Sequence, residues 1–149
     1  MNQVINGLRE GYWEIYYPNG ELMSKGNYTS GLKEGYWEGY DNDGRINCKG
    51  NYINGKAEGY WVEYFNEFTM FAEGNYVSGK REGYWETYLN GKLYTKGNYK
   101  DSKKNGYWED FWINGKLHYK GNYSLGNKIG YWEEYHPDGE LESKEYYII

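Results

Sequence analysis

His118 and His136 are the only histidines in the chain, and Cys48 is its only cysteine. Nucleophilic or metal-assisted catalysis needs several such groups converging on one point. The two imidazoles could hold a metal weakly beside a glutamate, if a turn centred on Gly126-Asn127 made them cross-strand neighbours. The plainer reading is two surface positions that happen to be histidine. A lone cysteine excludes an internal disulfide framework and a cysteine-based zinc site within one chain. One set of acids is regular: Glu14, Glu38, Glu86, Glu109 and Glu133. Paired carboxylates are the tools of glycoside chemistry, but a carboxylate that recurs with a repeating pattern reads as scaffold. No helix start follows the glycines, so they punctuate turns rather than cradle phosphates. The expectation is a protein that is not an enzyme and needs no cofactor or metal.

The elements that would position these residues are repeats. Gly-Tyr-Trp begins at Gly11, Gly35, Gly59, Gly83, Gly106 and Gly130, and Gly-Asn-Tyr at Gly26, Gly50, Gly74, Gly97 and Gly121. The fourth copy is one residue shorter than the others. A fixed period of this size implies one supersecondary unit per repeat. Each unit holds two short aromatic-rich segments around Pro-Asn-Gly, Asn-Asp-Gly, Asn-Gly or Pro-Asp-Gly, which are hairpin signals. Links such as residues 29–35 read as longer glycine-bearing turns. The expected fold is all-β, an elongated single-layer antiparallel meander of about six stacked hairpins forming a single domain over 1–149. About twelve strands at ~4.8 Å each make a ribbon roughly 50–60 Å long.

The short copy fixes a register. With Asn90-Gly91 as a two-residue turn, Tyr88 faces Leu93, Glu86 faces Thr95 and Tyr84 faces Gly97. With Pro18-Asn19-Gly20 as a three-residue loop, Tyr16 faces Leu22 and Tyr12 faces Gly26. Strand alternation then puts Tyr12, Glu14, Tyr16, Leu22, Ser24, Gly26 and Tyr28 on one face. Their equivalents hardly vary, and the third copy pairs Val62 with Ala72, so this reads as the packed face. The other face carries the tryptophans, with Lys25, Lys49, Lys96, Lys120 and Lys144 lying across them as cation–π partners.

Composition limits the partners. Only 38% of the chain is AVILMFWYC, and 21 tyrosines and 7 tryptophans dominate that share. These residues must do the packing, and disordered chains are poor in them. The net charge is −5 with lysine and glutamate interspersed. No basic patch exists to neutralise phosphates, so direct nucleic-acid binding is not expected, nor is charge-driven membrane adhesion. Residues 1–13 hold no apolar signal core, and no run approaches the roughly 18 apolar residues of a spanning helix. The expected location is cytoplasmic.

The pattern G-Y-W-E-x-Y-x-x-N-G-x-L-x-x-K-G-N-Y-x-x-G-x-x-x-G, seen from Gly11 to Gly35 and repeated down the chain, resembles MORN repeats. The closest form is the variant of about 24 residues common in bacterial proteins and often labelled antitoxin-type. The resemblance covers nearly the whole sequence. It implies stacked β-hairpins in a curved single sheet that acts as a scaffold or interaction module. Lipid binding attributed to such proteins needs charge that this acidic chain lacks. Two departures stand out: Asn66-Glu67-Phe68 where glycine is expected, and Lys103-Lys104 after Ser102 in a link that usually holds glycine. Both are expected to be irregular, and irregular places are where a partner could be read.

The tryptophan-bearing face contains columns that vary between copies. Tyr17, Phe65, Leu89, Trp112 and His136 belong to one, and Phe71, Tyr94 and His118 to another. Aromatic anchors there suit a protein partner, and Glu63, Asp110 and Glu134 between them suit a basic one, such as a nucleic-acid enzyme. The expected function is therefore a non-enzymatic protein-binding module, in its sharper form an inhibitor or antitoxin-like protein. Two alternatives stay open: an aromatic-lined glycan or nucleotide module, and a viral or mobile-element anti-defence protein. The open edge strands, above all Glu145 to Ile149, also invite a homo-oligomer.

Overall fold

The structure, a computed structural model, describes residues 1–65 and 69–148. The expectation at Asn66-Glu67-Phe68 lies outside the described residues. Thirteen strands form one antiparallel sheet in strict chain order. They are β1 (Gln3–Ile5), β2 (Leu8–Tyr16), β3 (Leu22–Thr29), β4 (Leu32–Tyr40), β5 (Ile46–Ile53), β6 (Lys56–Phe65), β7 (Met70–Val77), β8 (Lys80–Leu89), β9 (Lys92–Lys100), β10 (Lys103–Phe111), β11 (Leu117–Ser124), β12 (Asn127–Tyr135) and β13 (Leu141–Tyr147). This is the single-layer meander expected from the repeat, with β1 as an additional short strand.

Both expected hairpin turns are present. Asn90-Gly91 has φ of 50° and 72° and joins Leu89 to Lys92, as a two-residue turn with both central residues left-handed requires. In the first copy, the Tyr17 N–H donates to the Glu21 carbonyl and the Gly20 N–H to the Tyr17 carbonyl, closing Pro18-Asn19-Gly20. The links between hairpins are shorter than expected. Thr29 pairs directly with Leu32 across Ser30-Gly31, so this link is another two-residue turn. Each such turn leans on the hairpin before it: the Gly31, Gly55, Gly79 and Gly126 N–H groups donate to the carbonyls of Arg9, Lys33, Ala57 and Lys104. The side chain in front of Gly-Tyr-Trp accepts the other turn N–H in five copies: Glu10 from Ser30, Glu34 from Asn54, Glu58 from Ser78, Glu82 from Asp101 and the Asn105 amide oxygen from Leu125. The Lys103-Lys104 departure keeps this geometry. Asp101 and Ser102 adopt φ of 50° and 63° without glycine, and the Ser102 Oγ accepts the Arg81 N–H at 3.0 Å.

The face assignment is overturned by a bulge. Tyr16 pairs with Leu22 as expected, but Ile15 then pairs with Ser24, Glu14 with Lys25 and Trp13 with Gly26. Met23 is the unpaired residue, and Asn47, Tyr94, His118 and Glu142 take its place in other copies. One extra residue turns every later side chain of the second strand to the opposite face. Ser24, Gly26 and Tyr28 therefore share a face with the tryptophans, and the lysines share one with the glutamates. The third copy has no such bulge: Tyr64 pairs with Phe71, Glu63 with Ala72 and Val62 with Glu73.

The tryptophan face is the packed one. Trp37, Trp61, Trp85, Trp108 and Trp132 are 2–5% exposed. Each lies across the glycine of the preceding strand, so closely that a Cβ on Gly74 would stand 2.4 Å from the Trp85 ring. Its indole N–H donates to the carbonyl of the adjacent asparagine at 3.0–3.1 Å. The tyrosines of Gly-Asn-Tyr alternate with the tryptophans in edge-to-face contacts at 4.8–6.2 Å, the arrangement favoured by ring quadrupoles. Gly-Asn-Tyr thus supplies a notch, an acceptor and a ring wall for the next tryptophan. Replacing Gly74 by alanine puts a methyl inside the Trp85 ring, and overpacking of this kind costs about 1–3 kcal/mol. Urea unfolding of Gly74→Ala should show that loss, with a lower midpoint than the parent chain.

Candidate functional site

The exposed side of the sheet is lined with tyrosines. Tyr12, Tyr36, Tyr60, Tyr84, Tyr107 and Tyr131, one per repeat, are 40–62% exposed. Most of these hydroxyls are held by the glutamate two residues on, as Tyr36 is by Glu38 and Tyr84 by Glu86. Tyr40 and Tyr88 donate to the same carboxylates from the other side. Asn27, Asn51, Asn75, Asn98 and Asn122 stand opposite the first five tyrosines. The asparagines are exposed.

Beside this row runs a ladder of charges on neighbouring strands. Each lysine reaches the glutamate of the following strand: Lys25–Glu38, Lys96–Glu109 and Lys120–Glu133 all meet at 2.8 Å. Lys25 holds the Glu38 carboxyl below its ordinary value, and Lys120, Tyr135 and Lys144 hold Glu133 down to about 2. The lysines also lie over tyrosine or phenylalanine rings, as Lys25 does over Tyr40 at 5.5 Å, rather than over indoles as expected. The third copy breaks the ladder. Lys49 faces Val62, and Glu73 faces Glu86. Among the described residues, no ion pair involves either Glu73 or Glu86.

The tryptophan face has its own cations. Arg9, Lys33, Arg81, Lys104 and Lys128 sit 4.2–4.7 Å above the ring of the tryptophan four residues on. Burial lowers the pKa of Lys33 and Lys104. Three of the candidate partner residues lie among these cations. Glu63 accepts from Arg81 and from the Tyr76 hydroxyl, and Glu134 accepts from the Tyr119 hydroxyl. Asp110 keeps a buried Oδ1 without a hydrogen-bond partner, and burial raises its pKa.

The remaining candidates are dispersed. Tyr17 and Trp112 cross to the next hairpin and donate to the Tyr40 and Tyr135 carbonyls at 2.8 and 2.9 Å. His118, a bulge residue, stacks on Trp112 at 3.5 Å and lies 3.8 Å from Glu134. His136 lies 3.3 Å from Glu142. Among the described residues, no three metal-ligating side chains gather, and the turn between β11 and β12 is Leu125-Gly126 rather than Gly126-Asn127. Phe71 stacks on Tyr88 at 4.7 Å, which places it on the tyrosine face. Phe65 is 41% exposed, and Tyr94, in a bulge, 36%. Leu89 pairs with Lys92 beside its turn. The structure therefore spreads these residues over both faces and the hairpin tips. Sequence reasoning missed the tyrosine row because its constancy looked like packing. The glycine opposite each tryptophan was the available signal, since glycine within a strand marks a close approach.

The MORN repeat variant family matches residues 9–29 and 128–148, the first and last of the full units. The intervening copies repeat the same tryptophan–glycine notch, asparagine acceptor and tyrosine wall. These two stretches are MORN repeat variant units. MORN repeats are in general non-catalytic modules that bind proteins or membranes. Among curated proteins, none matches this chain significantly. No helix among the described residues is long and apolar enough to cross a membrane.

Two pH effects follow from the charges on the hairpins. Glu133 has a folded pKa of about 2 against an ordinary 4.5. Its ion pairs therefore stabilise the fold fully above about pH 4.5, and that contribution is lost as pH falls towards 2. Thermal melts of Lys120→Met/Lys144→Met should lose part of this acid dependence. Asp110 has the opposite sign: its raised pKa makes ionisation a cost to the fold that is absent below the ordinary 3.8 and complete above the folded value. Asp110→Asn should raise stability at neutral pH by about 1 kcal/mol, with the gain vanishing in melts below about pH 3.8.

Proposed function

We propose that this chain is a non-enzymatic docking module that presents its tyrosine face to a protein partner of basic character. The observation that carries this reading is the row of six exposed tyrosines, one per repeat, on a sheet whose opposite face already does the packing. Tyrosine supplies large amphipathic contact area at low entropic cost. Hydroxyl bonds to glutamate fix ring positions before any partner arrives. The net charge of −5 and the carboxylates of Glu73 and Glu86, outside any ion pair among the described residues, favour a basic partner through electrostatic steering. In its sharper form, the module is an inhibitor, antitoxin-like in action, that covers the basic surface of a nucleic-acid enzyme or defence nuclease.

A second reading, a glycan or nucleotide module, is favoured by the open cleft between Tyr84 and Tyr107, which Lys96, Asn98 and Glu109 complete. Affinity capture from the host, with the parent chain and with Tyr36→Ser/Tyr60→Ser/Tyr84→Ser/Tyr107→Ser, separates these ideas. The docking reading expects a basic protein retained at low salt, released by high salt and absent from the variant's eluate. Identical eluates from the two chains would sink it. A positive glycan array or nucleotide thermal shift, abolished in the variant, would replace it with the second reading.

A further inference from the structure

The tyrosine row has a repeat distance that selects among peptide conformations. Successive exposed tyrosines are two strands apart, and strands lie ~4.8 Å apart, so the row repeats every ~9.6 Å. A polyproline II helix advances ~3.1 Å per residue with three residues per turn, or ~9.3 Å per turn. A peptide in that conformation, laid across the strands, would offer one side chain to each gap between tyrosines. The mismatch is only about 0.3 Å per gap. An extended β-strand fits poorly, because its same-face side chains recur every ~6.8 Å. An α-helix with its ~5.4 Å pitch drifts by about 1.2 Å over each two-turn step.

The chemistry between the tyrosines fits the same occupant. A polyproline II backbone makes no internal hydrogen bonds, so its carbonyls need donors. Asn27, Asn51, Asn75, Asn98 and Asn122 project into the row, and their side-chain amides make no hydrogen bond among the described residues. Aromatic grooves that hold proline-rich segments use this pairing of rings with fixed donors.

Charge then fixes what the segment carries at its middle. Among the described residues, the lysine-to-glutamate ladder breaks in the central hairpin, where Lys49 faces Val62 and Glu73 faces Glu86 across β7 and β8. Directly opposed like charges destabilise a sheet, and in the pattern of Lys25–Glu38 and Lys96–Glu109 position 73 would hold a lysine. The two carboxylates are flanked by rings, and Lys96, which faces Glu86 from β9, gives its ammonium to Glu109 instead. Tyr60 donates to Glu73, and Tyr84 and Tyr88 donate to Glu86. Two carboxylates under three tyrosines are a receptor for a cationic side chain, by ion pairing and by cation–π attraction.

Resting on the docking reading above, we propose that the tyrosine face binds a proline-rich polyproline II segment, laid across the strands, with an arginine or lysine seated between Glu73 and Glu86. The test uses synthetic peptides of about fifteen residues, three for each of five gaps. One is proline-rich with a central arginine, one replaces that arginine with glutamate, and one keeps the arginine in a glycine–serine chain. Fluorescence anisotropy with the full chain should show micromolar binding of the first and at least tenfold weaker binding of the other two. Glu73→Lys restores the ladder, so it should raise the melting temperature while weakening the first peptide at least tenfold. Tyr60→Ser/Tyr84→Ser should weaken it similarly.

Failure of the first peptide to bind at millimolar concentration overturns the proposal, as does equal binding by Glu73→Lys. So does equal affinity for the proline-rich and glycine–serine peptides, since conformation would then not be read. If the peptides fail while the parent chain still captures a basic protein through its tyrosines, this inference falls and the docking reading stands. If removing the tyrosines changes neither peptide binding nor protein capture, both fall.

Discussion

The contact on which the whole sheet depends is an indole lying in the space where a β-carbon would be. A single-layer sheet has no second layer to bury its apolar atoms, so its core must form on one of its own faces. Glycine in one strand lets the tryptophan of the next lie flat against the backbone, with its ring edges closed by tyrosines and its upper surface covered by an arginine or lysine. The buried indole N–H would cost free energy if left without an acceptor, and the asparagine carbonyl beside the same glycine removes that cost. Three residues thus meet three separate needs of one ring. This explains why Gly-Asn-Tyr recurs as a block in copies one to five, whereas the surrounding positions vary.

Because one face carries the packing, the other is released from it. Its tyrosines, glutamates and lysines hold one another in fixed positions while staying accessible, which is an unusual condition for so many rings. The central hairpin departs on both faces together. It lacks the cation above its tryptophan, with Ala57 in that position, and it breaks the charge ladder at Val62 and Glu73. On the packed side, Trp61, Ala72 and Trp85 form the buried cluster, and Glu63 binds Arg81. Local stability is thus shifted towards apolar contact in the hairpin whose outer face tolerates opposed carboxylates. Departures of this kind from a consistent pattern tend to mark functional positions.

The period, strand order, hairpin turns and, outside the third copy, the pairing nearest each hairpin turn were legible in the residues. Asn-Gly and Pro-Asn-Gly have few conformational options, and Tyr88–Leu93 follows from them directly. The two faces were not legible, and the reason is a single residue. Alternation is reliable only while every residue has a partner, and Met23, Asn47, Tyr94, His118 and Glu142 have none. Each reverses the parity of the strand after it. The same slip hid the candidate surface: tyrosines that recur in every copy resemble a core when placed opposite Gly26, and a display when placed opposite Asn27. In the third copy, which has no bulge, the expected Val62–Ala72 pair is displaced by one residue: Val62 faces Glu73 and Ala72 faces Glu63, although both Val62 and Ala72 are buried. The variable columns suggested a surface, but variation there reflects bulges and hairpin tips, which tolerate many side chains without sharing a plane.

The turn-to-strand bonds that seat each hairpin on its predecessor have a kinetic meaning. Gly31 reaches back to Arg9, Gly55 to Lys33 and Gly126 to Lys104, and the widest side-chain hydrogen bonds among the described residues span 23 residues. No contact of this kind waits for a distant part of the chain. All-β proteins are usually slow to fold because their pairings join remote segments. Here the loop to be closed is one repeat long wherever folding begins, so each finished hairpin offers its glycine notch as a template for the next tryptophan. Assembly can then proceed as a zipper, one unit at a time, and keep pace with a chain still emerging from the ribosome.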